Sequence, residues 1–555
     1  MKSDRSEEKL TVGIWVQSPP GGHWSGEGLV RLLNLFIEAS DPEKVRYKIL
    51  VPRWLHDEVK EDVANWGETT RQIAEVVSPP GPMHFLTKLC LKNYGKLKAS
   101  SAAPTVLRKT VIEKLLAFST SMMKSQHYGL ILLFLFLTGF IWFPFFLVFL
   151  IGLLVFKAVE KTVATAFIRS VVTGIAKPFT NAYKHVYQFF QAQVPPIAID
   201  KEYAAMIKHG NAMKVDTWYV GHPSFTLAEK LDKPLVIMFA DFVVGEFPHL
   251  FPAGMLTNAV NLFKNLVPSA TRYITISNHV AKRHAEKIIQ IPAEKIITIE
   301  HAPPSIAENI PYLPTSVYRT VESRKLAADQ IRAHCREQRQ NWPVKGKTTQ
   351  DWILPFIADF PFEEVDYVLI STQNRPYKNT LGALKAIKEL TTKRNRSIKL
   401  IMTGDPELDN PASPIGSFIV KEKMYLDAVC IPRVPADIHA ALYHGALAAL
   451  QPTFYEGGTG SWIFFEAMSV GTPAIISANL ASLEMDFHPN FKKQFFDPND
   501  IMMMADRIEE ALDDRQALYD MQLPWYEKQK QRTWDIAADE YYDVFKDAAD
   551  TAKSN

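Results

Sequence analysis

Cysteine is nearly missing from this chain. Three occur in 555 residues, Cys90, Cys335 and Cys430, too far apart to form a metal-ligand spacing. That scarcity fits a reducing compartment without structural disulfides. No Asp-x-Asp occurs, so no metal is expected, and no cofactor is expected. The opening MKSDRSEEKL is charged and reads as no signal peptide. Overall charge is also small, +2, but it is unevenly placed. Residues 80–199 hold 13 Lys and Arg against Glu113 and Glu160, a local +11, which leaves −9 for the rest. A basic block in an otherwise acidic protein points to an anionic surface as partner and not to nucleic acid. Charge is absent altogether from residues 125–156, 32 positions without Asp, Glu, Lys or Arg.

What is present organises around residues 456–473, EGGTGSWIFFEAMSVGTP. The apolar run 446–450 predicts a buried strand leading into it. The Gly-rich loop 457–460 follows, with Ser461 as N-cap of a short helix over 462–470. Gly471 closes that helix and Pro473 forbids its continuation. A second buried strand, 474–477, comes next. Such a loop aims free N–H groups and the positive helix end at an anion, most simply a phosphate. Glu456 and Glu466 flank it, and carboxylates accept hydrogen bonds from paired sugar hydroxyls.

The stretch resembles the E-x7-E segment of retaining glycosyltransferases of family 4, which have the GT-B fold. Glu466 with Ala467, Met468, Gly471, Thr472 and Pro473 matches its second half. Nine residues, not seven, separate Glu456 from Glu466. The resemblance implies that Glu466 holds the ribose of a nucleotide sugar and that Glu456 touches the transferred sugar. It also implies that Gly458, Thr459, Gly460 and Ser461 line the donor diphosphate.

Other segments agree in order. A strand at 10–16, a loop at 17–28 with Gly21 and Gly22, a helix over 27–39 and a strand at 47–51 form a βαβ opening. The loop is not G-x-G-x-x-G; it resembles the family's Gly-Gly loop near donor and acceptor. The run 234–239 ends at Ala240-Asp241, where the family often carries His-Asp. Asp241 and His249 are candidates for the cleft. Residues 291–304 resemble the end of the family's first domain. In TQNRPYKN, after a strand at 367–371, Arg375 and Lys378 stand where the family holds the diphosphate with two cations. Arg433 and Val434 fall where it borders the nucleobase, and 531–545 resembles its C-terminal helix.

The segment 80–199 interrupts this pattern. One helix over 125–156 would be about 48 Å long against about 30 Å of hydrocarbon. Gly139 and Pro144 are natural bends. The flanking pieces must build one parallel sheet, so the run enters and leaves on one side. We therefore expect a re-entrant helical hairpin, with Leu130, Phe140, Trp142, Pro144, Phe149 and Phe156 in lipid. Cations flank both ends and place them at a cytoplasmic, anionic surface.

The expectation is an α/β protein of GT-B type: two Rossmann-like domains facing a cleft, plus an α-helical membrane hairpin. The first domain comprises 1–79 and, on the acceptor side, 200–304, interrupted by the insert 80–199. A linker, 305–360, leads to a donor-binding domain, 361–522, and a C-terminal helix, 523–555, that packs back. The resemblance implies a metal-independent hexosyltransferase acting with retention. Glu456, Arg375 and Lys378 would serve catalysis, and the nucleotide sugar is donor substrate. The insert points to a monotopic protein at the cytoplasmic face of the cell membrane, and to a lipid-linked saccharide as acceptor, in surface polysaccharide or glycolipid synthesis. The alternatives are a transferase with a soluble acceptor, a sugar phosphorylase, or a non-catalytic membrane scaffold on the same fold.

Overall fold

The computed structural model describes residues 9–20, 28–83, 199–266, 268–313, 319–341, 357–404, 408, 410–431, 434–458, 461–484 and 494–554. Seven strands form the first sheet: β1 (Leu10–Trp15), β2 (Val45–Leu50), β3 (Ala74–Val77), β4 (Thr217–Val220), β5 (Leu235–Phe239), β6 (Ala270–Thr275) and β7 (Ile296–Thr298). Their order is β3-β2-β1-β4-β5-β6-β7, and all pairs are parallel. Parallel sheets are covered on both faces, so their strands read as near-continuous apolar runs. LVIMF of β5, buried at every position, is such a run. Gly13 makes room for an indole: a Cβ there would lie 2.4 Å from the Trp218 ring. Trp218 meets Trp15 edge-on at 6.4 Å.

Five strands form the second sheet: β8 (Tyr367–Ile370), β9 (Lys399–Met402), β10 (Ala428–Cys430), β11 (Ala448–Gln451) and β12 (Ala474–Ile476). Their order is β10-β9-β8-β11-β12, again all parallel. Strand order reverses between β1 and β4 in one sheet and between β8 and β11 in the other. Open α/β sheets bind ligands at these reversals, outside the carboxyl ends of the strands.

The residues read as a linker build part of the second core. Ile306, Ile310 and Leu313 pack there with Ala327, Ile331 and Cys335 of the helix Val321–Asn341. The helix Trp534–Ser554 returns to the first sheet. Its Tyr541 stacks on Phe36 at 4.8 Å and packs edge-on against Tyr219.

The sequence-expected hairpin, with Leu130, Phe140, Trp142, Pro144, Phe149 and Phe156, lies outside the described residues. Among the described residues, no helix is long and apolar enough to cross a membrane. The two ends of the described chain that flank this segment are held together. Arg53 donates to the carbonyls of Pro79 (3.0 Å) and Pro80 (2.8 Å) and pairs with buried Glu202 at 2.7 Å. Chain therefore leaves and re-enters the first domain at one place.

Candidate active site

Two loops at the β8/β11 reversal carry the predicted chemistry. The first follows β8 and ends in the turn Pro376–Lys378. Asn379, in the left-handed region at φ 56°, sends its Nδ2 to Pro452 O (3.0 Å) and Pro498 O (2.8 Å). The second loop, after β11, is laced to it: the Phe454 N–H (2.8 Å) and Thr453 Oγ1 (3.0 Å) both donate to Tyr377 O. Residues 78 positions apart in sequence come into direct contact this way, and Lys378 Nζ lies 2.6 Å from Glu456 Oε1. Burial pulls the Lys378 ammonium down, but the charge and hydrogen bond of Glu456 outweigh it, and its pKa is raised. Arg375 is exposed and donates to Gln373 at 3.0 Å. Of the two predicted cations, one is already neutralised within the protein and the other faces solvent.

The helix Trp462–Ser469 forms as the sequence predicts. Ser461 Oγ accepts the Ile463 N–H at 3.1 Å, and Gly471 stands at φ 78°. Every residue from Ile463 to Ser469 is buried, so Glu466 points into protein, its side chain only 5% exposed. Its partner comes from the other domain. Arg31, on the helix Gly28–Glu38, places Nη1 2.5 Å from Glu466 Oε1 and lays its guanidinium 4.5 Å above the Trp462 ring. His439 sits nearby, with Nε2 2.6 Å from Ser371 Oγ; burial lowers its pKa, opposed by the Glu466 charge.

The glycine loop also abuts the first domain. Ser277 Oγ donates to Gly457 O at 2.7 Å. A Cβ on Gly457 would lie 2.8 Å from Ala240 O and 3.2 Å from Ile276 Cδ1, so only glycine allows this approach. Asp241 enters from the same side. Burial pushes its carboxyl up, and nearby Lys378 and Glu456 act on it in opposite senses. The domains thus meet at two places: Asp241 approaches the Lys378–Glu456 pair, and Arg31 pairs with Glu466.

Other predicted positions fall differently. Gly458 lies 3.7 Å, by its would-be Cβ, from Ile276 Cδ1. Val434 packs against the second core. His249 is exposed, edge-on to Phe247 at 6.3 Å. Gly21, Gly22, Thr459, Gly460 and Arg433 lie outside the described residues. Sequence reasoning missed Arg31, Trp462 and Ser277. Arg31 is the polar member of an apolar-spaced helix, and only the facing helix gives it meaning.

One cluster has metal-ligand composition: Glu246, His279 and His284 each bring a ligand-type atom within 4.8 Å of the others. It does not fit a metal. His284 Nδ1 accepts the Phe242 N–H at 2.9 Å, so the neutral ring carries its proton on Nε2, the atom 3.6 Å from Glu246. A ligating histidine does the reverse, presenting one lone pair and donating from the other nitrogen. Arg283 Nε also holds Glu246 at 3.1 Å.

Residues 357–532 match the family described as Glycosyl transferases group 1. No curated protein sequence matches the chain. Sucrose-phosphate synthase from Thermosynechococcus elongatus is similar in structure, with TM-score 0.54 and 11% identity, over 97% of this chain and 99% of that one. HepE of Anabaena, solved in complex with UDP-glucose, gives TM-score 0.50 and 13% identity, over 98% of this chain and 100% of that one. The N-terminal domain of Candida albicans trehalose-6-phosphate phosphatase gives 0.50 and 10%, over 99% and 98%. At such identities the likeness is one of fold, that of two parallel α/β sheets, and the second sheet lies within the segment that matches the group 1 family.

Proposed function

We propose that the protein transfers a sugar, with retention, from a nucleotide-diphosphate sugar to a lipid-linked saccharide at the cytoplasmic face of a membrane. The observation that carries the donor side is the convergence of the Lys378–Glu456 pair and Glu466 at the β8/β11 reversal. The likeness to HepE, solved with UDP-glucose, suits a nucleotide sugar. Glu466 accepts the paired ribose hydroxyls. Lys378 and Arg375 take up charge as the diphosphate leaves, which is where fixed cations lower a barrier most. Glu456 holds the transferred sugar. The bond from the anomeric carbon to the diphosphate breaks and a bond to the acceptor hydroxyl forms on the same face. The hydroxyl proton passes to the leaving diphosphate, so no protein nucleophile is assigned.

The acceptor side rests on the sequence and on Arg53. A 32-residue uncharged run between basic flanks suits a monotopic hairpin, and Arg53 ties its entry to its exit. That holds the acceptor domain against lipid, which gives proximity and orientation to an acceptor with a lipid tail. The test replaces residues 130–156 with a short polar linker. Release from membranes, with transfer to a lipid acceptor cut far more than donor hydrolysis, is expected. Equal transfer to a lipid-free acceptor before and after the deletion refutes the assignment.

A further inference from the structure

The partner of Glu466 is a residue of the opposite domain. The two residues are 435 positions apart in sequence, and the ion pair joins a helix of the first domain to one of the second. A nearly buried carboxylate must be paired or it is costly, and here Arg31 supplies the pairing. Arg31 itself is 39% exposed, stacked on Trp462 at the first turn of the helix that the glycine loop feeds. Its guanidinium is the solvent-reaching member of the pair and covers the carboxylate that, on the reading above, receives the ribose.

We propose that Arg31 is a gate on the donor site: it competes with the nucleotide ribose for Glu466 and must swing off before a donor seats. This rests on Glu466 as the ribose acceptor. An arginine offers five N–H donors and the carboxylate only acceptors, as does a ribose diol toward the same oxygens, so the two are alternative partners for one group. Donor entry exchanges one satisfied state of Glu466 for another, and the freed guanidinium keeps its stack on Trp462. The domain carrying the acceptor side thereby senses whether the donor is bound.

The test is calorimetric titration of the full-length protein in detergent with UDP, GDP, ADP and UDP-glucose. The proteins are wild type, Arg31→Ala, Arg31→Lys and Glu466→Ala. Arg31→Ala should bind its nucleotide roughly fivefold tighter than wild type, the scale of one partly exposed ion pair. Arg31→Lys should return toward wild type. The gap between wild type and Arg31→Ala should narrow as salt is raised, because the pair is screened. Glu466→Ala should lose binding. Equal or weaker binding by Arg31→Ala, with Glu466→Ala still inactive in binding, overturns the gate and leaves the donor reading standing. Unchanged binding by Glu466→Ala, or no binding by wild type to any nucleotide, overturns both.

Discussion

Lys378 Nζ and Glu456 Oε1 meet at 2.6 Å between two loops of the second sheet, each side chain largely covered. On the proposed reading, the contact keeps the Lys378 charge stable until a leaving diphosphate needs it. Removing Lys378 should lower turnover by roughly 10²-fold or more, the scale seen on deleting one charge-stabilising group. Glu456→Gln should lower stability by about 1–3 kcal/mol, because a covered ammonium loses its counter-charge. Turnover and thermal melts of the two variants check both statements; wild-type turnover in Lys378→Ala contradicts the first.

Gly457 sits where any side chain meets Ala240 O at 2.8 Å. Gly457→Ala should therefore hold the domains apart at this contact. We expect transfer to fall about 10²-fold, as for misplacement of about 1 Å. Each domain should keep its own packing, so melting should change little. Unchanged transfer means that the approach is not needed for catalysis.

Tyr541 fixes the C-terminal helix on the first sheet, stacked on Phe36 and fully buried. Truncation to Ala should cost about 3–5 kcal/mol, the range for large aromatic side chains. Denaturant unfolding measures this. A loss below about 1 kcal/mol would show that the helix is held elsewhere.

Two histidines, His284 buried and His301 partly buried, contribute to the response to acid. Burial pushes His284 down to about 4 and His301 to about 3 from the ordinary 6.5. Neighbouring His279 and Arg283 press His284 further down, while Glu246 opposes them. Both rings stay neutral when folded, whereas an unfolded chain takes up protons near 6.5. The unfolded state binds more protons between those values, so stability falls as pH drops through this window. The slope is at most about 1.4 kcal/mol per pH unit for each ring. His284→Asn keeps an acceptor for the Phe242 N–H and removes one titration, so it should flatten the curve; an unchanged slope contradicts the assignment.

The elements around the carboxylates were legible in the sequence because local rules wrote them. Ser461 caps, Gly471 stops, and the buried runs at β8, β11 and β12 need no partner to be recognised. Lys378 and Glu456 were singled out separately, but their mutual contact was not, since they stand 78 positions apart in the chain. Residues 305–360 read as a linker because proline and arginine obscure their apolar positions. Ile306, Ala327 and Ile331 find their complement only on the second sheet. His249 drew notice as the nearest histidine after Ala240, and it stands exposed on the turn Pro248–Leu250. Arg31 carried no local signal at all: its meaning comes from a helix 435 residues away.

The central claim is that this crevice uses a nucleotide sugar through Glu466. The most direct measurement is sugar transfer or release from a panel of nucleotide sugars by folded wild type and Glu466→Ala, at matched concentration in detergent. The account predicts activity with one nucleotide sugar in wild type and its loss in Glu466→Ala, with the melting transition retained. Wild-type turnover by folded Glu466→Ala would contradict it.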